Sequence, residues 1–209
     1  MIKRLLLGLL LVLVGAGALA FYLLGGQTTP PAQVEVADVQ EDAAIGQTED
    51  LENMLYLDLK DGRVVIKLRP DLAPNHVARI KELARQGFYD GVVFHRVIDG
   101  FMAQTGDPTG TGAGGSGQKL KAEFSQEPHV RGTVSMARAQ SPDSADSQFF
   151  ICFDDARFLD GQYTVWGEVV EGMEFVDNIK KGSQANNGSV TGPDAIVKLQ
   201  VAADAEPAS

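Results

Sequence analysis

A chain of 209 residues can hold one well-cored domain and an appendage, and is too short for two ordinary domains plus a membrane segment. Its 18 Lys and Arg against 28 Asp and Glu give a net charge of −10, which repels phosphate backbones and argues against a nucleic-acid partner. The single cysteine, Cys152, excludes an internal disulfide, and His76, His95 and His129 stand singly, outside any zinc-ligand spacing, so neither a metal nor a cofactor is expected.

In chain order, Lys3 and Arg4 precede an uncharged run over residues 5–24. A helix of that length rises about 30 Å, the thickness of a bilayer's hydrocarbon core, and positive charge stays on the cytoplasmic side, so everything after the run is expected on the far side. Ala18-Leu19-Ala20 has the small-x-small form of a signal-peptidase site. Phe21, Tyr22, Leu23 and Leu24 continue the apolar run past it, so the expectation is an uncleaved single-pass anchor over 1–24, with release to the periplasm after cleavage near Ala20 as the alternative. Residues 25–52 carry Glu35, Asp38, Glu41, Asp42, Glu49, Asp50 and Glu52 and no Lys or Arg, the composition of a self-repelling flexible linker. The folded domain is expected over 53–203, with a disordered tail at 204–209.

Leu55, Leu57 and Leu59 alternate with Tyr56, Asp58 and Lys60; after Asp61-Gly62, Val64, Ile66 and Leu68 alternate with Val65, Lys67 and Arg69. This is the pattern of an antiparallel hairpin turning on Asp-Gly. Pro74 suits a first helical turn, and Val77, Ile80, Leu83 and Ala84 follow at helical spacing until Gly87. Short strands are predicted at 92–98, 101–104, 133–137, 148–153, 163–170 and 195–201. A second helix fits 173–181, with Phe175, Val176 and Ile179 on one face and Lys180 and Lys181 at its C-terminal end. Many short strands, two helices and no βαβ alternation predict a mainly β fold, a closed antiparallel barrel capped by helices.

Several familiar chemistries are excluded. Gly110-Thr111-Gly112-Ala113-Gly114-Gly115 satisfies the dinucleotide fingerprint in form only, since no βαβ unit surrounds it. Gln118 separates Gly117 from Lys119, so the run is not a P-loop. No G-x-S-x-G elbow exists, the histidines have no evident partners, and no pair of carboxylates stands out as acid and base. A buried structural role is the plain reading for Cys152.

The remaining motifs are FHRVIDGFMAQTGD at 94–107, TGTGAGG at 109–115, SMA at 135–137 and SQFFI at 147–151. In kind and in order these resemble the hallmark stretches of the cyclophilin family, across roughly 53–203. The resemblance implies a peptidyl-prolyl cis-trans isomerase built as an eight-stranded antiparallel barrel capped by two helices, acting as a monomer on proline-containing polypeptides. It also implies roles: Arg96, Gln104 and Phe101 in catalysis, with Met102, Ala137, Arg138, Gln148, Phe150, Phe158, Leu159 and Tyr163 forming the substrate site. Strand period places Met102 with Gln104, and Gln148 with Phe150, but puts Phe101 on the opposite face unless the chain bends.

Three positions depart from common relatives. Phe158 stands where many have Trp and Tyr163 where they have His, which keeps an aromatic wall but removes the indole N–H used to hold cyclosporin, so weak inhibition by that drug is expected. Arg138 stands where Asn is common and adds positive charge beside the groove. The competing reading is a peptide-binding chaperone module with little isomerase activity; the presence of both Arg96 and Gln104 speaks against it.

Overall fold

In the computed structural model, residues 51–206 are described; the predicted anchor, the linker up to residue 50 and residues 207–209 lie outside them. Among the described residues no helix is long and apolar enough to cross a membrane. Strands β1 (Met54–Leu59) and β2 (Gly62–Leu68) form the first hairpin. Leu59 pairs with Gly62, so the connection is Lys60-Asp61, one step earlier than the expected Asp61-Gly62 turn. Gly62 is needed for another reason: a Cβ there would lie in the ring of Phe175.

Helix α1 (Pro74–Arg85) begins with the expected proline and buries His76, Val77, Ile80, Leu83 and Ala84. Its first turn has no cap from its own chain neighbour; the Glu123 carboxylate instead accepts the backbone N–H of Asn75 at 3.2 Å and of His76 at 3.1 Å. At the other end Arg85 donates to Glu52 at 2.6 Å and to Asp204 at 2.8 Å, and Lys81 also reaches Glu52. Glu52, expected in the linker, and Asp204, expected in the tail, are thereby held to the folded domain.

The remaining strands are β3 (Arg96–Ile98), β4 (Met102–Thr105), β5 (Thr133–Met136), β6 (Phe149–Cys152), β7 (Val165–Glu171) and β8 (Lys198–Val201). All pairings are antiparallel, in the order β3-β4-β6-β5-β7-β2-β1-β8. This is a mainly β half-barrel of eight strands with two helices. Full closure by a ladder is not found among the described residues: the edge strands β3 and β8 are joined through their flanking segments by the isolated bridge Val93–Ala195 and by Phe94 N–H donating to Asp194 O at 2.9 Å. The segments expected as strands at 92–98 and 195–201 are shortened for the same reason. Helix α2 (Met173–Asp177) is also shorter than the expected 173–181. Its last turn tightens, and the Lys181 ammonium folds back onto the carbonyls of Asp177 at 2.6 Å and Ile179 at 3.2 Å.

Strand alternation sorts the apolar residues into two bodies. Val97, Ala103, Val134, Met136, Phe149, Ile151 and Trp166 point inward and join α1, β1 and β2 in the main core. Met102, Phe150, Cys152, Ala156 and Leu159 form a second cluster, backed by Ile98, Phe101, Ala137 and Tyr163. Cys152 is buried there, and burial pushes its thiol up to about 12, which keeps it protonated and unreactive.

Gly106 ends β4 at φ 88°, and a Cβ there would overlap the carbonyl oxygen of Ser147. Gly106→Ala is expected to cost about 3 kcal/mol from the left-handed backbone and the overlap together. Urea unfolding of the variant measures this, and a loss below about 0.5 kcal/mol would contradict the tight approach of β4 to the 147 segment.

Candidate active site

The site is laid out by the register of four strands. Arg96 pairs with Gln104, Gln104 with Phe150, and Phe150 with Ser135, giving one row across β3, β4, β6 and β5; Ile98, Met102 and Cys152 form the row beside it. Phe101 precedes β4 in a turn closed by its N–H donating to Ile98 O at 3.0 Å, with Gly100 at φ 69°. That turn takes Phe101 out of the strand's alternation and supplies the bend that period alone does not explain.

Arg96, Phe101, Met102, Gln104, Ala137, Arg138, Phe150, Phe158, Leu159 and Tyr163 line one cavity of about 280 Å³. Every residue predicted for the site is therefore gathered here except Gln148. The 3₁₀ turn Arg157–Leu159 brings Phe158 and Leu159 to the wall. Phe158 is 67% exposed and leans on Phe101 with centroids 5.4 Å apart, while Tyr163 meets Phe150 edge to face at 5.8 Å.

Gln148 lines an adjoining cavity of about 220 Å³ together with Gly112, Ala113, Gly114, Lys119 and Asp146, and shares Gln104, Ala137 and Arg138 with the first. A one-way hydrogen-bond chain joins the two. Arg96 Nη1 donates to Gln104 Oε1 at 3.2 Å, Gln104 Nε2 to Gln148 Oε1 at 2.9 Å, and Gln148 Nε2 to the carbonyls of Gly112 at 3.0 Å and Gly114 at 2.8 Å. The chain starts on a group that only donates and ends on groups that only accept, so both amide orientations are fixed.

The glycine-rich loop that ends this chain is wound on two buried carboxylates. Burial opposes ionisation of Asp107, yet hydrogen bonds from the Thr109 hydroxyl and from the N–H groups of Thr109, Gly114 and Gly112 outweigh it and hold the carboxyl well below the usual range. Asp146 likewise receives Ser116 N–H at 2.7 Å, Gly117 N–H at 3.1 Å and Lys119 Nζ at 3.3 Å. The loop that resembles a nucleotide fingerprint is a scaffold presenting carbonyls to Gln148.

Arg96 owes its orientation to a residue that sequence reasoning missed. Asn187 accepts Arg96 Nε on its carbonyl and Nη2 on its Oδ1, both at 3.0 Å, from a left-handed conformation at φ 51°. Asn187-Gly188 carries a turn signal in the sequence, but nothing there links it to β3. No carboxylate among the described residues lies within ion-pair distance of Arg96, so its charge is uncompensated; burial pushes its pKa downward, and a guanidinium nonetheless stays protonated. Arg138 also has no carboxylate partner among the described residues: Nε donates to Gln162 O at 3.1 Å, Nη1 to Ala139 O at 3.0 Å, and the guanidinium sits over the Tyr163 ring at 4.8 Å.

The model for the family described as cyclophilin type peptidyl-prolyl cis-trans isomerase matches residues 54–201. A Brucella suis protein named probable peptidyl-prolyl cis-trans isomerase is 60% identical over 167 residues, covering 74% of this chain and 85% of its own. Peptidyl-prolyl cis-trans isomerase B of Bacillus subtilis is 44% identical over 140 residues, covering 66% of this chain and 97% of its own. Among solved structures, a cyclophilin from Hirschia baltica superposes with a TM-score of 0.67 at 30% identity, over 76% of this chain and 77% of that one. A cyclophilin type isomerase from Cryptosporidium parvum, crystallised in the presence of the dipeptide Ala-Pro, superposes with a TM-score of 0.65 at 27% identity, over 71% of this chain and 98% of that one. With its strands, its motifs and its relatives in agreement, this chain belongs to the cyclophilin-type peptidyl-prolyl cis-trans isomerases.

Proposed function

We propose that the chain turns X-Pro bonds of exported or envelope polypeptides, with Arg96 as the group that lowers the barrier. The observation that carries this reading is a guanidinium with only neutral partners at the edge of an apolar cavity. Rotation about X-Pro meets a barrier of about 18–20 kcal/mol because the nitrogen lone pair is delocalised into the carbonyl. The pyrrolidine ring sits against Phe101, Met102, Phe150 and Leu159, while the acyl side turns in the open groove. Arg96 spends Nε–H and one Nη2–H on Asn187, which leaves the second Nη2–H for the substrate. A planar amide nitrogen offers no lone pair to that donor, but a twisted, pyramidal one does, so the bond strengthens only on the way to the transition state. Gln104, aimed by its neighbours, has a second Nε2–H to hold the substrate backbone. No proton is transferred, in keeping with a site that has no acid/base pair.

The charge of Arg138 beside the groove, with no carboxylate partner among the described residues, supports a preference for acidic residues flanking the proline. For location, the support is the sequence alone: Lys3 and Arg4 followed by the uncharged run over 5–24 are the pattern of an anchor with its domain on the periplasmic side of the cytoplasmic membrane, where uncatalysed proline isomerisation, at about 10–100 s, would delay folding of arriving chains.

Arg96→Ala should lower kcat/KM on a short X-Pro peptide by about 10²-fold with peptide binding largely kept, and Asn187→Gly, which keeps the backbone conformation but removes Oδ1, by about tenfold; wild-type binding without turnover would instead favour the chaperone module. Peptides with Glu flanks should turn over faster than those with Lys flanks, a difference lost in Arg138→Asn; equal turnover in the wild type would count against the charge argument. Fractionation of cells should leave the chain in the membrane after a carbonate wash, and a soluble periplasmic form would point to cleavage near Ala20.

A further inference from the structure

Beneath the pocket floor lies a set of polar residues that the isomerisation mechanism does not use. His129, fully buried, places Nδ1 3.0 Å from Asp160 Oδ1 and Nε2 3.1 Å from Ser135 Oγ. Its ring stacks on Phe150 at 6.2 Å with 20° between planes and meets Tyr163 edge on at 6.4 Å. The arrangement has the order of a Ser–His–Asp triad, but Ser135 is also fully buried, so no substrate can reach its hydroxyl.

The protons of this set can be counted. Ser135 Oγ lies 2.9 Å from Thr164 O, a carbonyl already satisfied by the Met136 N–H at 2.9 Å. With a neutral imidazole, Nδ1–H donates to Asp160 and the Ser135 hydroxyl donates to Nε2. With an imidazolium, Nε2–H donates to Ser135 Oγ and the hydroxyl turns to Thr164 O. The neutral state gives up the Ser135–Thr164 bond and the charged state keeps all three, while Thr164 O still accepts the Met136 N–H in either, so the network tolerates both charges without unfolding, and the cost of a buried cation under an aromatic floor is set against that one extra bond.

We propose that His129 is a positioning residue for the proline pocket, and that a bound proline ring favours its neutral imidazole, so that substrate and proton compete. The reasoning rests on the assignment of that pocket. A ring seated on Phe150 and Tyr163 removes the water nearest His129 and raises the cost of charge there. Burial already pushes the His129 pKa below its ordinary value, with Asp160 opposing. The titratable and charged groups around it are Asp160 with Arg157 beyond it on the wall turn, Tyr163 on the same segment, and the Cys152 thiol on β6; β5 contributes only the Ser135 hydroxyl. Because the folded pKa is depressed and is depressed further by substrate, binding is at full strength above it. As pH falls through it, KM rises while kcat, set by Arg96, stays level.

The test uses the full chain and a short Ala-Pro peptide. The imidazole of His129 is titrated by NMR without and with saturating peptide, and KM and kcat are measured over the same pH range. The expected result is a lower His129 pKa in the peptide complex, and a KM that climbs towards tenfold per pH unit below the free-enzyme value with kcat unchanged. His129→Asn should flatten that KM profile; residue 129 still holds Asp160 through its backbone N–H, which donates at 2.7 Å in the native chain. If the variant does not fold, the titration of the native chain decides alone. Peptide that binds without moving the His129 pKa, or a KM slope that persists in His129→Asn, overturns the inference. Peptide that fails to bind even at pH 8 overturns the pocket assignment and the inference with it.

Discussion

Each residue of β4 and β6 faces either the barrel interior or the outer groove, and the two-residue period of the strand allows no third choice. Ala103, Phe149 and Ile151 complete the main core; Met102, Gln104, Phe150 and Cys152, interleaved with them, build the site. Core and site therefore share one backbone. A slip of one residue in either strand would turn the site inward and the core outward together. The antiparallel ladder from β3 to β5 then carries the outward set sideways, so that a guanidinium, an amide, a phenyl ring and a hydroxyl fall in one row without a loop having to place them.

On this rigid surface the functional asymmetry is one of charge. Most cations of the domain are paired with carboxylates, as Arg63 is with Asp58 and Arg131 with Asp177, whereas Arg96 is held entirely by neutral acceptors. Carboxylate pairing would hold the side chain as firmly but would cancel the field a twisting amide is meant to feel. Asn187 and Gln104 supply orientation without neutralisation. Asp146, which lines the adjoining cavity, and Asp107 within the same loop are themselves saturated by loop N–H groups and Lys119, so the glycine-rich loop keeps its negative charge occupied on its own side.

Much of this was legible in the sequence because the site is made of strand residues within short, distinctive motifs. Arg96, Met102, Gln104 and Phe150 fall within FHRVIDGFMAQTGD and SQFFI, and period two adds that Met102 shares a face with Gln104 and Gln148 with Phe150, while the roles of the other site residues came from the resemblance. What was not legible depends on contacts between distant segments. Asn187 lies far along the chain from the arginine it orients, and His129 meets Asp160 and Ser135 only after the barrel has curved. The seam between β3 and β8, the early turn at Lys60-Asp61 and the short α2 have the same origin: tertiary packing, such as Phe175 against Gly62, decided boundaries that propensity leaves loose. Glu52 and Asp204 looked like linker and tail because nothing local marks them as partners of Arg85.

The central claim is that the charge of Arg96, and not merely its shape, lowers the barrier to rotation. Citrulline at position 96 keeps the length, planarity and most N–H donors of the side chain while removing the charge. The account predicts that isomerisation of an X-Pro peptide falls by roughly 10²-fold in kcat, with KM within a few-fold of wild type, as expected when an interaction made only in the transition state is lost. A citrulline enzyme that turns over within about twofold of the wild type would contradict it and leave Arg96 as a donor whose charge is incidental.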